Sequence, residues 1–406
     1  MNLGLVLLLF SFFIYAPTGQ SAYYDVLPQG RFNFQFRWIK TNSIVNSFDS
    51  SGGIKTNDVQ FNLDGKTIYG ANEILDKYFD DLSDINPAAF DQFQIGSYEI
   101  KPKANVNVRV FGFGYGLGKK STVYLGIPFY QAEVNVEFNR TKGNNYDEIV
   151  EIVGEDEVST VTQITRGLPD ITEGIIQTVL IDYFGVLPIG TWRAEGPGDI
   201  EAGVMHQVYS SQSGGGLLKF GVILPTGKIE NPDILQDISF GDGQVDTFVE
   251  AGFGLQLAPF LEFNNSLRFT YQFDSQKTRR VPDISGTSLG VDKIQVTEKL
   301  GNKIDVYSNL SYSLLNLFRL EVGHYYYFQG ATKYLDNNSS LFNFSDFRPM
   351  NSHAGEIKFV FTTVNRYLQN GQFFLPFELS ASYFKTLKGE NIQAINRTTL
   401  QFSTFF

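Results

Sequence analysis

Few side chains of this protein could carry catalytic chemistry. The absence of Cys excludes disulfide scaffolds, thiolate zinc sites, iron–sulfur clusters and cysteine nucleophiles. A hydrolase built on a strand would need a Ser activated by a neighbouring His. None of the three histidines, His206, His324 and His353, has a Ser two residues further along its strand face, although a cross-strand pair stays open. We therefore expect no enzyme, no metal site and no cofactor.

Charged and polar side chains instead occupy alternate positions of predicted strands. Residues 31–38, RFNFQFRW, alternate between polar and aromatic side chains, so a strand here has one polar and one aromatic face. In a soluble sandwich the aromatic face would be core, whereas in a transmembrane barrel it would face lipid and the polar face would line the lumen. The barrel interpretation predicts that the lumen is lined by Arg31, Arg37, Asn107, Arg109, Lys219, Asp246, Glu250, Arg268, Asp305, Glu321 and Glu378.

Composition and the number of strands favour the barrel. Aromatic residues make up 15% of the 406 residues, and charged residues make up 18%, below the roughly 25% of soluble domains. After residue 16, no apolar run approaches the roughly 20 residues of a membrane-spanning helix. We predict an all-β fold, a transmembrane antiparallel up-and-down β-barrel of about 12 strands. The predicted strands are 31–38, 104–115, 122–138, 200–209, 217–224, 245–257, 263–273, 304–314, 318–328, 357–363, 373–385 and 394–406.

The register of these strands gives further expectations. Phe34, Val108, Leu267 and Leu320 are predicted to face lipid, since they alternate with polar residues. In the strand 122–138, the apolar positions change phase near Pro128, which predicts a β-bulge there.

The connections between these strands alternate in length. Short turns follow the even-numbered strands and mostly long segments follow the odd-numbered ones, which is typical of an outer-membrane barrel. An even strand count places both termini on the short-turn, periplasmic side. The two longest loops, 42–94 and 139–198, are then extracellular.

Periodicity predicts structure within these long loops. Residues 72–82 and 168–185 have the spacing of short amphipathic helices, and residues 148–153 and 158–164 have that of a hairpin. We expect the helix over 168–185 to gate the mouth. Its apolar stripe consists of Ile171, Ile175, Val179 and Tyr183.

Both ends of the chain carry export signals. Residues 3–16 form an uncharged apolar stretch followed by small and polar residues, which is typical of a secretory signal, although no Lys or Arg precedes it. We predict a cleaved signal peptide over 1–22 and an outer-membrane β-barrel over 23–406, in contact with outer-membrane lipid and lipopolysaccharide. The terminal Phe406 on an amphipathic last strand resembles the signal read by the barrel assembly machinery.

Four motifs carry a family resemblance. They are FGYGLGKKSTVYLGIP at 113–128, GDIE at 198–201, LKFGVILPTGK at 218–228 and FGDGQVD at 240–246. Together they resemble the bacterial outer-membrane proteins of the MetA pathway of phenol degradation, relatives of the long-chain fatty-acid transporters. The resemblance covers roughly residues 100–130 and 195–280. It implies a barrel that passes hydrophobic or aromatic small molecules, and the long acidic inserts depart from the compact family pattern.

Two functions fit these observations. The first is an outer-membrane channel for passive passage of small, hydrophobic or aromatic solutes. The alternative is a non-conducting structural or surface-interaction barrel that binds a partner through its acidic outer loops. The net charge of −11 disfavours a nucleic-acid partner in either case.

Overall fold

The computed structural model describes residues 24–69, 73–153, 170–281, 290–336, 348–370 and 373–406. The predicted signal peptide, the predicted strand 158–164 and the first two residues of the predicted gating helix lie outside these ranges.

Strands make up most of the described chain. They are β1 Phe32–Thr41, β2 Asn46–Phe48, β3 Ile54–Thr56, β4 Val59–Asp64, β5 Gln94–Gly116, β6 Ser121–Lys142, β7 Trp192–Pro197, β8 Ile200–Ser211, β9 Gly214–Leu224, β10 Asp246–Ala258, β11 Leu261–Gln272, β12 Asp274–Arg280, β13 Lys293–Lys299, β14 Lys303–Leu314, β15 Phe318–Gln329, β16 Lys333–Tyr334, β17 Met350–Thr362, β18 Phe377–Glu390, β19 Ile392–Gln393 and β20 Asn396–Phe405.

Twelve of these strands close into one antiparallel barrel, which confirms the predicted fold class. Strand β1 pairs with β5 on one side and with the last strand, β20, on the other, and β5 pairs with β6. The circle continues through β8, β9, β10, β11, β14, β15, β17 and β18. Each of the twelve overlaps one predicted segment. Closure satisfies the edge hydrogen bonds that an open sheet would leave exposed to lipid.

Helices occupy the connections. They span Gly65–Ile68, Glu73–Ile85, Pro87–Gln92, Tyr146–Val153, Glu173–Asp182 and Val364–Asn370. None of the described helices is long and apolar enough to cross a membrane.

Strand β11 shows the alternation on which the barrel is built. Its inward residues Asn264, Ser266 and Arg268 are buried, whereas Leu267 and Phe269 between them are exposed on the outer face. An outer face of large apolar residues is stable only against lipid, and a polar interior is typical of membrane barrels. The predicted outward positions of Phe34, Leu267 and Leu320 agree with this register.

The β5–β6 hairpin does not keep a polar inner face and an apolar outer face along its whole length. Strand β5 has 23 residues and β6 has 22, longer than the other barrel strands. In the halves of both strands nearest the short turn, Phe111, Phe113 and Leu125 face outward. Further from the turn, Val108 is fully buried and faces inward. The prediction that Val108 faces lipid is therefore wrong. The polarity of the two faces is exchanged where the hairpin leaves the membrane and its inner face packs on a dry cluster.

The predicted bulge in β6 near Pro128 is also wrong, since the extra residue lies in the neighbouring segment, between the pairs Gly126–Glu201 and Phe129–Pro197. Residues Tyr98 to Gly116 of β5 pair with β6 without a register shift through this region. The apolar positions change phase because the environment of the strand changes, and its backbone stays regular.

The long loops have a hydrophobic core of their own. The predicted helix over 72–82 is confirmed as Glu73–Ile85, with Tyr78, Phe79 and Leu82 buried. They pack against Ile149 of the helix Tyr146–Val153. The prediction of a strand over 148–153 is therefore wrong, since these residues place Ile149 on the buried face of a helix rather than alternating across a sheet.

The assigned faces give a stability prediction. Replacing Leu267 by Arg puts a charge on the lipid-facing side near the middle of β11, and we expect this to cost about 2–4 kcal/mol of unfolding free energy. The matched control Ser380→Arg adds the same charge to the half-buried inner face of β18, and it should cost much less. Urea unfolding of the barrel refolded into lipid vesicles measures both, and equal costs would contradict the register.

Candidate functional site in the barrel lumen

One wall of the lumen is filled by a buried ion cluster, defined as Glu201, Lys219, Glu250 and Arg268. Lys219 Nζ donates to Glu250 Oε1 at 2.7 Å, and Arg268 Nε donates to Glu250 Oε2 at 2.8 Å. Arg268 Nη1 donates to Glu201 Oε2 at 3.0 Å. No member is more than 6% exposed. Two carboxylates and two cations neutralise one another, so this cluster closes its side of the interior rather than offering a path for ions.

The chain preceding β1 lies beside this cluster inside the barrel. Tyr24 and Val26 pack on Tyr124, Met205, Leu217 and Phe248. The Leu27 amide donates to Thr122 Oγ1 at 2.8 Å. Gly215 is required here, because a Cβ at that position would lie 2.3 Å from the Tyr24 ring. Residues 24–28 therefore narrow the lumen near the short-turn end.

The opposite wall, formed by β15, β17, β18 and β20, is more open. Some of its inward side chains are half-buried, and from these we define the lumen path as Tyr325, Glu356, Phe384, Arg397 and Gln401. Tyr325 and Phe384 rings lie 5.5 Å apart, and the Arg397 guanidinium lies 4.2 Å from the Phe384 ring centre. The Tyr325 hydroxyl donates to Glu356 Oε2 at 3.2 Å. The path thus combines aromatic surface with polar groups that are already partnered.

A second ion cluster lies near the short turns of the same wall. Arg319 Nε donates to Glu321 Oε1 at 2.6 Å, Lys358 Nζ lies 3.4 Å from Glu321 Oε2, and Arg319 Nη2 lies 3.6 Å from Glu378 Oε2. These charges are balanced as in the first cluster, and they border the lumen path.

The predicted lumen residues divide into three groups. Arg31 precedes β1 and is exposed. Arg109 and Asn107 lie on the outer face, because they are paired across β1 with Trp38 and Lys40, so their assignment to the lumen is wrong. The others are buried and face inward: Arg37, Lys219, Asp246, Glu250, Arg268, Asp305, Glu321 and Glu378.

The aromatic residues of the lumen path were not predicted from the sequence. Tyr325 shares the inward face of β15 with Glu321, so period-2 alternation contained the signal. On a barrel strand an aromatic side chain is expected to face lipid, so Tyr325 was not included among the predicted lumen residues.

The predicted gating helix exists as Glu173–Asp182, but its buried stripe is shifted by one residue. Ile175, Val179 and Tyr183 are exposed, and Ile171 is half-buried. The side chains that pack into the loops are Ile176, Leu180 and Phe184. The predicted apolar stripe is therefore not the face of this helix that packs on the loops. Gating by this helix stays a prediction.

Three of the four family-like motifs meet at the loop end of the barrel. Asp199 accepts hydrogen bonds from the backbone amides of Gly227 at 2.9 Å and Asp242 at 3.1 Å. Gly241 is needed because its Cβ would lie 2.2 Å from Asp199 Oδ1. Burial raises the pKa of the Asp199 carboxyl to about 7, and the nearby Asp242 carboxylate adds to this rise. The three motifs thus form one structural junction.

A cross-strand Ser–His pair does occur on the outer face. Ser121 Oγ lies 3.0 Å from His206 Nδ1. Within the described part of the chain, no carboxylate or amide side chain is hydrogen-bonded to His206, so the third group of a triad is not in place.

No protein-family model and no curated protein matches the chain. Solved outer-membrane barrels are similar to it in fold. The COG4313 outer membrane channel from Pseudomonas putida F1 has a TM-score of 0.52 and 11% identity, over 94% of this chain and 98% of that chain. This likeness agrees with the barrel expected from the sequence resemblance, and it shows the fold alone.

Two further structures are less similar. The Ralstonia pickettii toluene transporter TbuX has a TM-score of 0.35 and 9% identity, over 94% of this chain and 90% of that chain. A Pseudomonas aeruginosa FadL homologue has a TM-score of 0.33 and 8% identity, over 95% and 92%. Likeness at this level carries no inference about this chain.

The first ion cluster gives a prediction about stability. Replacing Arg268 by Met leaves Glu201 and Glu250 with only Lys219 to balance them, and we expect a loss of about 3–5 kcal/mol in unfolding free energy. The control Arg193→Met removes an exposed partner of Glu133 and should leave the urea midpoint unchanged. Equal midpoints for the two variants would show that the cluster is not desolvated.

The junction gives a prediction about pH. Because the folded-state pKa of Asp199 lies above its unfolded value of about 3.9, ionisation penalises the folded state increasingly as pH rises toward 7. The parent should lose stability relative to Asp199→Asn between about pH 4 and pH 7, the interval between the two pKa values. Melting temperatures in detergent measure this difference, with Asp81→Asn on an exposed helix face as the control. A difference that is constant with pH would contradict the assignment.

Proposed function

We propose that the protein is an outer-membrane channel through which small hydrophobic or aromatic molecules pass down their concentration gradient. The lumen path carries this proposal. It offers half-buried aromatic rings beside Glu356, which accepts hydrogen bonds from Tyr325 and Ser382, and beside the Arg397 guanidinium, which lies against the Phe384 ring. An apolar solute can therefore contact the rings while these charges keep their partners. The balanced ion clusters on either side of it disfavour a wide aqueous pore.

The orientation follows from loop length. We propose that the long loops face outside and that the solute enters between them, moves along Tyr325 and Phe384, and leaves past residues 24–28. That segment narrows the short-turn end, so its displacement would widen the exit. The exposed Phe406 pairs through its backbone with Phe32, which leaves its ring available to the barrel assembly machinery.

A structural or surface-interaction barrel is the second candidate. Two observations favour it: the ion clusters and residues 24–28 fill much of the interior, and Ile175, Val179 and Tyr183 form an exposed apolar stripe on the outer loops. An exposed apolar stripe of this kind is suited to contact with a partner protein. The Ser121–His206 pair is assigned no catalytic role in either case.

Blocking the lumen path distinguishes the two candidates. Gln401→Trp adds an indole to the half-buried inner face of β20, whereas the control Leu400→Trp adds one to the adjacent outward position. We expect the first variant to lower uptake of a radiolabelled aromatic hydrocarbon by cells at least about fivefold, and the second to leave it unchanged. If cells with the parent protein take up the hydrocarbon no faster than cells lacking the protein, the structural barrel is favoured.

A further inference from the structure

The outer wall of the barrel carries an apolar groove that ends at two cations. We propose that it is a specific site for a phosphorylated glycolipid of the lipid A type, with acyl chains in the groove and a phosphate on Arg109 and Lys40. This proposal rests on the proposed orientation of the barrel, but not on what passes through the lumen.

The groove has a volume of about 900 Å³ and crosses several strands on the lipid-facing side. We call it the outer groove and define it by the lining residues Trp38, Leu320, Phe359, Ala381 and Leu400. These residues lie in one row across β1, β15, β17, β18 and β20, since neighbouring strands pair them directly. Ala381 is small and sits between large side chains, which leaves a depression that acyl chains can fill.

The cations lie at the upper end of this row. Arg109 is paired with Trp38 across β1 and β5, and Lys40 follows two residues further along β1. Below Arg109 the outer face of β5 is aromatic, with Phe111 and Phe113, whereas above it the face is polar. This change marks the boundary of the membrane, where lipid phosphates lie.

These charges are available to a ligand. Among the described residues, neither Arg109 nor Lys40 forms an ion pair. Gln131 holds Arg109 through a hydrogen bond from Nη2 to Oε1 at 3.3 Å. The nearest outward acids have other partners, because Glu133 binds Arg193 and Glu195 accepts from Gln131. A fixed guanidinium beside a free ammonium is suited to a phosphate.

The occupant follows from position and shape. On the proposed orientation, Arg109 lies in the outer leaflet, whose phosphorylated lipid is the glycolipid. A groove lined by side chains of five strands has room for more than one acyl chain. Each cation at a membrane surface favours an anionic over a neutral lipid severalfold, so two of them correspond to a preference of roughly tenfold or more.

Trp38 provides a direct reporter. The chain has only two Trp, so Trp192→Phe leaves Trp38 as the single fluorophore inside the groove. The barrel is reconstituted in phosphatidylcholine with brominated acyl chains, which quench Trp38, and unbrominated lipid A is added. Relief of quenching gives the affinity for lipid A relative to phosphatidylcholine.

We expect a preference of about tenfold for lipid A that falls toward onefold in the Arg109→Gln, Lys40→Gln variant. The control Lys55→Gln removes an equal charge from an exposed loop strand and should keep the preference. An unchanged preference in the double variant, an equal preference for dephosphorylated lipid A, or an equal preference for phosphatidylglycerol would each overturn the proposal. Failure of solute uptake would leave this measurement unaffected.

Discussion

The hydrogen-bond closure between the first and last barrel strands is the constraint on which the rest of the structure depends. In hydrocarbon every backbone N–H and C=O must be satisfied within the sheet, so an open edge is not tolerated. The register of β1 with β20 and β5 meets this requirement. Once it is met, each strand must send alternate side chains to lipid and to the interior, and the interior has to accommodate the polar half.

That constraint explains why the strands were predictable and one register was not. Period-2 alternation located all twelve strands, because a lipid-exposed face must be apolar. The same pattern could not assign the faces of the upper β5–β6 hairpin. There the outside is water and the inside is a dry cluster, so Val108 faces inward and Asn107 outward. Alternation reveals that two faces differ, but only the surroundings decide which face is buried.

Contacts between side chains on different strands and loops could also not be predicted from the sequence. Lys219 and Glu250 meet because β9 and β10 are in a particular register, and Asp199 joins the Gly227 and Asp242 amides because three loops converge. Each of these residues was noticed as a charge or a motif. Their neutralisation and the close approach of the backbone depend on register and loop geometry, which local patterns do not encode.

The distribution of charge then separates the barrel into surfaces with different tasks. Charges that are buried within the wall of β8 to β11 are matched almost one to one, as desolvation requires. Charges beside the lumen path are partnered through hydrogen bonds with Tyr325 or through contact with Phe384, so that wall presents rings rather than free ions. At the outer boundary, Arg109 and Lys40 face water and lipid phosphates, where an unmatched cation carries little desolvation cost. A molecule crossing the barrel and a lipid bound to its wall would therefore meet opposite surfaces of the same sheet, the first selected by aromatic contact and the second by charge.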